Sequence, residues 1–221
     1  LNPALGLTGI RLCLAEPVMF RTQMRAILRA AALGSVNMMW PMIASVAEIK
    51  QCLIHLDTAR RQLEERGIAF GNVRIGCMIE IPSAALTVST LLRHLDFISI
   101  GTNDLIQYTL SVDRSDDMVG YLYQPAHPAI LRLLSHIIRT ANRMNKQVSI
   151  CGEMAGDITF TRLLLGMGLR RFSMNTNNML AVKDAIIHSN INDLEQDILR
   201  IMRNEDPDKM DKLLSMLNKV E

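Results

Sequence analysis

The sequence lacks every feature that would place a protein in an extreme class. Lysine plus arginine (24) and aspartate plus glutamate (22) nearly cancel, the formal net charge is +2, and no long block of like charges occurs. That removes the electrostatic case for a nucleic-acid partner or an anionic membrane surface. No run of ~18 apolar residues is present to span a bilayer, so no membrane insertion is expected. No charged-then-apolar leader is found either. The first residue is Leu1, in mid-loop within L-N-P-A-L-G, and a fragment of a longer polypeptide is expected. The cysteines Cys13, Cys52, Cys77 and Cys151 are far apart, which excludes zinc-ribbon and C-x-x-C readings. Free thiols in a reducing, cytoplasmic compartment are expected instead. Also missing are a G-x-S-x-G elbow, a Gly-rich phosphate loop and a dinucleotide fingerprint. None of His55, His94, His127, His136 and His188 has a second histidine at metal-ligand spacing, and no internal repeat or low-complexity linker appears.

What is present fits an ordinary globular domain. The 221 residues are 49% hydrophobic and 21% charged, enough to bury a substantial core. The fifteen methionines read as soft core filling rather than as metal ligands. Helical and strand-like segments alternate. Pro17 to Leu33 has the helical period, with proline at its start and Gly34 past its end. Val36 to Ile43 reads as a buried strand. Ser45 and Glu48 form a capping box that opens a long helix closing at Gly67. Arg74 to Glu80 and Asp96 to Gly101 are short apolar runs, each ending in polar residues. A helix from Pro128 to Met144 leads to Q-V-S-I-C-G-E. Asp157 can cap the helix that contains Thr161 to Gly166, and R-F-S-M is a last strand. Two polar-faced helices, near 192–203 and 207–218, read as a terminal cap.

Apolar strands alternating with helices indicate a parallel sheet covered on both faces. Five strands can be counted, where a (β/α)8 TIM-type barrel needs eight. One α/β domain over residues 1–221 is expected, an N-terminally truncated barrel, with a five-stranded doubly wound sheet as the alternative.

The chemistry-bearing residues share a position. Glu80, the turn Gly101-Thr102-Asn103-Asp104 and Cys151-Gly152-Glu153 each follow directly on an apolar strand. Parallel α/β folds bind ligands at the carboxyl ends of their strands. Glu80 and Asp104 suit Mg²⁺, which takes hard oxygen ligands from one or two carboxylates plus substrate and water. Equally, they can be helix caps or a general acid–base pair. Arg114 can fork onto a phosphate or pair with Asp113, Asp116 or Asp117. Cys151 can be a packed thiol or an activated one.

The string D-F-I-S-I-G-T-N-D-L-I-Q-Y-T-L-S-V-D-R, Asp96 to Arg114, closely resembles the signature of the phosphoenolpyruvate-utilising enzymes. R-I-G-C-M-I-E-I-P-S-A, C-G-E-M-A-G-D and L-L-L-G-M-G-L-R-R-F-S-M-N resemble further blocks of that family, in order along nearly the whole chain. The nearest resemblance is to enzyme I of the sugar phosphotransferase system and its nitrogen-related paralogue; dikinases share part of the pattern. The resemblance implies a barrel that binds phosphoenolpyruvate with Mg²⁺. Its phosphoryl group passes to a histidine on a separate domain, then to a histidine phosphocarrier protein, and the product is pyruvate. It implies Glu80 and Asp104 as metal ligands, Asn103, Asp104 and Arg114 at the substrate, and Cys151 exchanging a proton with the enolate carbon. It also implies a cytoplasmic homodimer. One departure stands out: Thr8, in L-G-L-T-G-I-R, occupies a position where the family carries a phosphate-binding arginine, while Arg11 matches. The family's earlier strands and its phosphohistidine block are not in these 221 residues. The chain alone is therefore expected to be inactive, and a non-catalytic or regulatory module is the alternative.

Overall fold

Four apolar segments pair as parallel strands: β1 (Val36–Trp40), β2 (Val73–Ile79), β3 (Phe97–Gly101) and β4 (Gln147–Cys151). They stand in the sheet in chain order, β1-β2-β3-β4. Trp40 pairs with Cys77, Cys77 with Ile98, and Ile98 with Val148. A doubly wound sheet reverses direction at a switch point, and this one does not. Parallel crossovers are nearly always right-handed, so an unreversed run keeps its connecting helices on one side, as in a wall of a (β/α)8 barrel. The doubly wound alternative is thereby corrected. The structure is a computed structural model and describes residues 3–204, 206 and 209–219.

The helices are α1 (Gly9–Ala15), α2 (Pro17–Ala30), α3 (Val46–Glu65), α4 (Pro82–Leu86), α5 (Val88–Leu92), α6 (Thr102–Leu110), α7 (Pro128–Arg143), α8 (Glu153–Gly156), α9 (Ile158–Gly166), α10 (Thr176–Ile187), α11 (Ile191–Arg203) and α12 (Met210–Leu217). Local chemistry sets most of their ends. The Ser45 N–H donates to Glu48 Oε2 at 2.9 Å, completing the capping box of α3, and Gly67 follows it at φ +62°. Asp157 accepts from the Thr159 N–H at 2.8 Å to open α9. His127 Nδ1 accepts from the Ala129 N–H at 3.1 Å, so this histidine caps α7. Helix α2 stops at Ala30, short of Leu33. Helix α1 was not expected, because its seven residues carry no side-chain cap and too few apolar turns to show a period.

Two further expectations need correction. The fifth strand, R-F-S-M, is reduced to one parallel bridge between Phe172 and Ile150. Asn175 immediately accepts from the Asn177 N–H at 3.1 Å and starts α10, so the backbone leaves the sheet. Nor is the cover uniform: the central strands β2 and β3 are largely buried on both faces, as expected, but the edge strands β1 and β4 are not. In β1 and β4 burial alternates, as strand geometry requires when one face is more open. Trp40, Cys77, Ile79, Ile98, Ile100, Val148 and Ile150 make the buried layer. By the same alternation Glu80, Ser99, Gly101, Ser149 and Cys151 fall on the opposite face.

Helices α11 and α12 are polar outside, but they bury Leu194, Ile198, Ile201, Met210, Leu214 and Leu217 and pack on α9. At Gly166 the Ile198 side chain takes the space a Cβ would fill. The expected start of the last helix, at 207–208, lies outside the described residues, as do Leu1 and Asn2.

Candidate active site

The carboxyl ends of β2, β3 and β4 lie side by side, and each delivers one functional group. Glu80 follows β2 and is 4% exposed. Its Oε1 accepts from the Met42 N–H at 2.6 Å. Gly101 ends β3 because nothing larger fits: a Cβ there would lie 2.9 Å from Glu80 Oε2 and 2.8 Å from Met78 Sδ. Asp104, in the first turn of α6, lies close enough to Glu80 for its charge to act on that carboxyl. Burial pushes the Glu80 carboxyl up to about 7, and the neighbouring Asp104 adds to that, against the opposing Met42 N–H. Of the alternatives for these two acids, simple capping fails for Glu80, whose carboxylate serves Met42, far from it in sequence.

The β3 and β4 turns are locked together. Thr102 Oγ1 donates to the Cys151 carbonyl at 2.9 Å, and Asn103 Oδ1 accepts from the Glu153 N–H at 3.0 Å. Gly152 sits at φ +92°, where a Cβ would lie 2.8 Å from Asn103 Oδ1; both facts demand glycine. Cys151 Sγ lies 3.4 Å from the Ile100 carbonyl and 3.8 Å from Ser99 Oγ. Burial raises its pKa, partly opposed by Ser99, while the Glu80 and Asp104 charges raise it further. The thiol therefore holds its proton at neutral pH, the state a proton donor needs.

Arg114 does not pair with its acidic sequence neighbours. Its Nη1 lies 3.0 Å from Glu153 Oε1, with side chains 42% and 75% exposed. The ion pair ties the arginine to Glu153, whose N–H is held by Asn103; a cleft of ≈ 500 Å³ is lined by Asn103, Cys151, Glu153, Ser173, Asn175 and Asn178, and not by Glu80, Asp104 or Arg114.

Thr8 is near the same rim. It precedes Gly9 (φ +54°), which is pressed against Met42, the residue that holds Glu80. Arg11 turns away, donating to the carbonyls of Leu5 and Gly6 at 3.1 and 3.4 Å. Sequence reasoning missed Met42, Tyr108 and Tyr123. Met42 adopts φ +55° with no glycine to signal it. Tyr108 donates its hydroxyl to the Ala4 carbonyl at 2.5 Å, tying the N-terminal segment to α6. Tyr123 is pushed up to about 12, by burial first and by Glu153 second.

Acidic, amide, guanidinium and thiol side chains thus lie near the carboxyl ends of adjacent strands in a parallel sheet of barrel type. The chain belongs to the phosphoenolpyruvate-utilising enzyme family: residues 1–191 match the model of its phosphoenolpyruvate-binding domain. It is 51% identical over 218 residues to a phosphoenolpyruvate-protein phosphotransferase of Cupriavidus necator, covering 98% of this chain and 37% of that one. A protein of the same description from Priestia megaterium is 45% identical over 196 residues, covering 88% and 34%. The chain thus spans about a third of the length of these relatives. A citrate lyase from Burkholderia xenovorans shares the fold, with a TM-score of 0.55 at 18% identity, covering 89% of this chain and 67% of that one.

The donor set suits a hard divalent ion. Among the described residues no three His, Cys, Asp or Glu groups converge on a metal position. Glu80 and Asp104 supply two carboxylates, the number Mg²⁺ commonly takes from protein when substrate oxygens and water complete its shell. The raised Glu80 pKa comes first from burial, with the nearby Asp104 charge adding to it.

Proposed function

We propose that this chain is the phosphoenolpyruvate-binding part of a phosphoenolpyruvate–protein phosphotransferase. In that reading the phosphoryl group of phosphoenolpyruvate passes to a histidine on another domain, and from there to a histidine phosphocarrier protein. The observation that carries it is the convergence of Glu80, Asp104, Asn103, Arg114 and Cys151 at three adjacent strand ends, within a chain that matches the phosphoenolpyruvate-binding family model.

Phosphoryl transfer asks for positioning and charge neutralisation more than covalent help. Glu80 and Asp104 would hold Mg²⁺, which neutralises charge on substrate oxygens when bound. Arg114 and the Asn103 amide take the phosphate, and Arg114 exchanges Glu153 for it. Loss of the phosphoryl group leaves an enolate, and the protonated thiol of Cys151 donates to its carbon to give pyruvate. The reading extends to a cytoplasmic homodimer. Thr8 favours the second reading, a barrel retained for regulation or partner binding, because threonine cannot replace a charge-assisted phosphate contact.

Calorimetric titration of phosphoenolpyruvate into the intact protein, with and without Mg²⁺, tests both. Mg²⁺-dependent binding, abolished by Glu80→Gln or Asp104→Asn, supports the enzyme. Binding untouched by either substitution sinks the metal assignment, and binding that appears only in Thr8→Arg supports the regulatory reading.

A further inference from the structure

Arg162 projects from α9 and is 8% exposed. Its Nη1 donates to the Leu217 carbonyl at 3.3 Å and its Nη2 to the His188 carbonyl at 3.2 Å. These carbonyls end α12 and follow α10, where helix dipoles present their negative poles. Two donors are thus satisfied and the terminal helices are pinned to α9. A guanidinium has five N–H donors, and among the described residues no carboxylate pairs with this one. Arg162 lines a cavity of ≈ 560 Å³ between α9, α10 and the end of α12.

That cavity has an unusual lining. Arg162 gives it one largely buried positive group, and Asp184 of α10 gives it a negative one. The Asp184 side chain is 74% exposed, and its Oδ1 lies 3.3 Å from His188 Nδ1. Thr159 and Asn218 add neutral polar atoms, and Ile158 and Ala181 add apolar wall. The Asn218 amide N–H groups already serve the carbonyls of Thr159 and Leu214 at 2.8 and 2.9 Å, which leaves its side-chain oxygen as an acceptor. A simple anion would be drawn to Arg162 and opposed by Asp184; a simple amine would meet the reverse. A ligand with a carboxylate and an ammonium on one carbon satisfies both, with its side chain on the apolar wall.

We propose that this cavity binds a free α-amino acid, its carboxylate on Arg162 and its ammonium on Asp184. Charge-assisted bonds at both ends supply orientation, and the volume falls in the range of small-molecule sites. The site is separate from the strand-end rim, but α10 joins them. Asn175, which caps the helix, and Asn178 border the rim cleft, while Asp184 and His188 border this cavity. An amino acid held here would therefore bear on the helix that walls the proposed phosphoenolpyruvate site.

The test screens the standard L-amino acids singly against the intact protein by ligand-observed NMR, followed by calorimetry on the best binder. Its N-acetyl derivative lacks the ammonium and its amide lacks the carboxylate. Each is expected to bind about tenfold more weakly or worse. Asp184→Asn, a change at an exposed position, should weaken the amino acid by a similar factor and leave its N-acetyl derivative unaffected. Ala181→Leu should abolish binding by filling the wall. Because Arg162→Lys risks loosening α12, the proposal is judged on the Asp184 and Ala181 variants. Absence of saturable binding by every amino acid overturns it. So does affinity that survives both N-acetylation and Asp184→Asn, which would mark a plain carboxylate site. Phosphoenolpyruvate titration of the same variants is read separately, so failure here leaves the rim assignment standing.

Discussion

The two halves of the strand-end rim are built to different standards. On the carboxylate side Glu80 is 4% exposed, bonded to the Met42 N–H and packed against Gly101. On the other side Arg114 is held by one ion pair to Glu153, with both side chains substantially exposed. The buried half is fixed before any ligand arrives, at the cost of crowding two acids. The exposed half is held by an interaction that contributes little to stability and is free to exchange. Under the proposed function, a site that holds a cation and then admits and releases a phosphate would gain from that division.

The contrast can be broken at its rigid side first. Glu80→Gln should reduce Mg²⁺-dependent phosphoenolpyruvate affinity by about a hundredfold or more, measured by calorimetry. At pH 8 it should also stabilise the ligand-free chain in urea, because it removes a crowded charge. If binding and stability fall together, Glu80 is structural and the contrast is wrong.

Gly101→Ala should come next. The added methyl meets Glu80 and Met78 below van der Waals distance, for an expected loss of about 1–3 kcal/mol in urea unfolding, with metal affinity lost alongside.

The pH dependence follows from the Glu80 carboxyl, raised from an ordinary value of 4.5 to about 7. An acid with a raised folded pKa favours the folded state while protonated. Its contribution is fully present below pH ~4.5 and lost as pH climbs through ~7, worth at most about 3 kcal/mol. Mg²⁺ competes with that proton, so its affinity should rise over the same interval with proton uptake into buffer. A flat profile between pH 5 and 8 would remove the raised Glu80 carboxyl from the argument.

The mobile side should give the smallest stability effects. Arg114→Ala should change unfolding free energy by less than about 1 kcal/mol while weakening phosphoenolpyruvate about tenfold or more. Glu153→Gln should leave stability similar and free the arginine, strengthening phosphate binding slightly. If Arg114→Ala instead unfolds the rim, the two halves are not different in kind.

Much of this was legible in the residues. The Ser45–Glu48 box, proline at the starts of α2 and α7, and the Asp157 cap place helix ends by local hydrogen bonding, which depends on neighbours a few residues away. The apolar runs at Ile75–Ile79 and Phe97–Ile100 mark strands, and the polar residues after them mark the rim. The fifth strand misled because R-F-S-M has strand composition, yet the Asn175 cap turns the backbone away after one bridge. The openness of the edge strands β1 and β4 was hidden because continuous apolar composition reads as burial on both sides, which holds for β2 and β3. The amino acid sequence gives Arg114 three nearer acids than Glu153, and only folding brings Glu153 to it.

Sequence alone determined which residues could do chemistry here and that they follow consecutive strands, since both depend on residue type and local pattern. The tertiary structure decided the strand order and which alternative each residue took: Glu80 on Met42 rather than on a helix end, Arg114 on Glu153, Cys151 protonated beside two acids. It also brought Arg162 and Asp184 to one cavity from different helices. Those outcomes rest on distances and burial between residues remote in the chain, and a linear pattern carries no record of either.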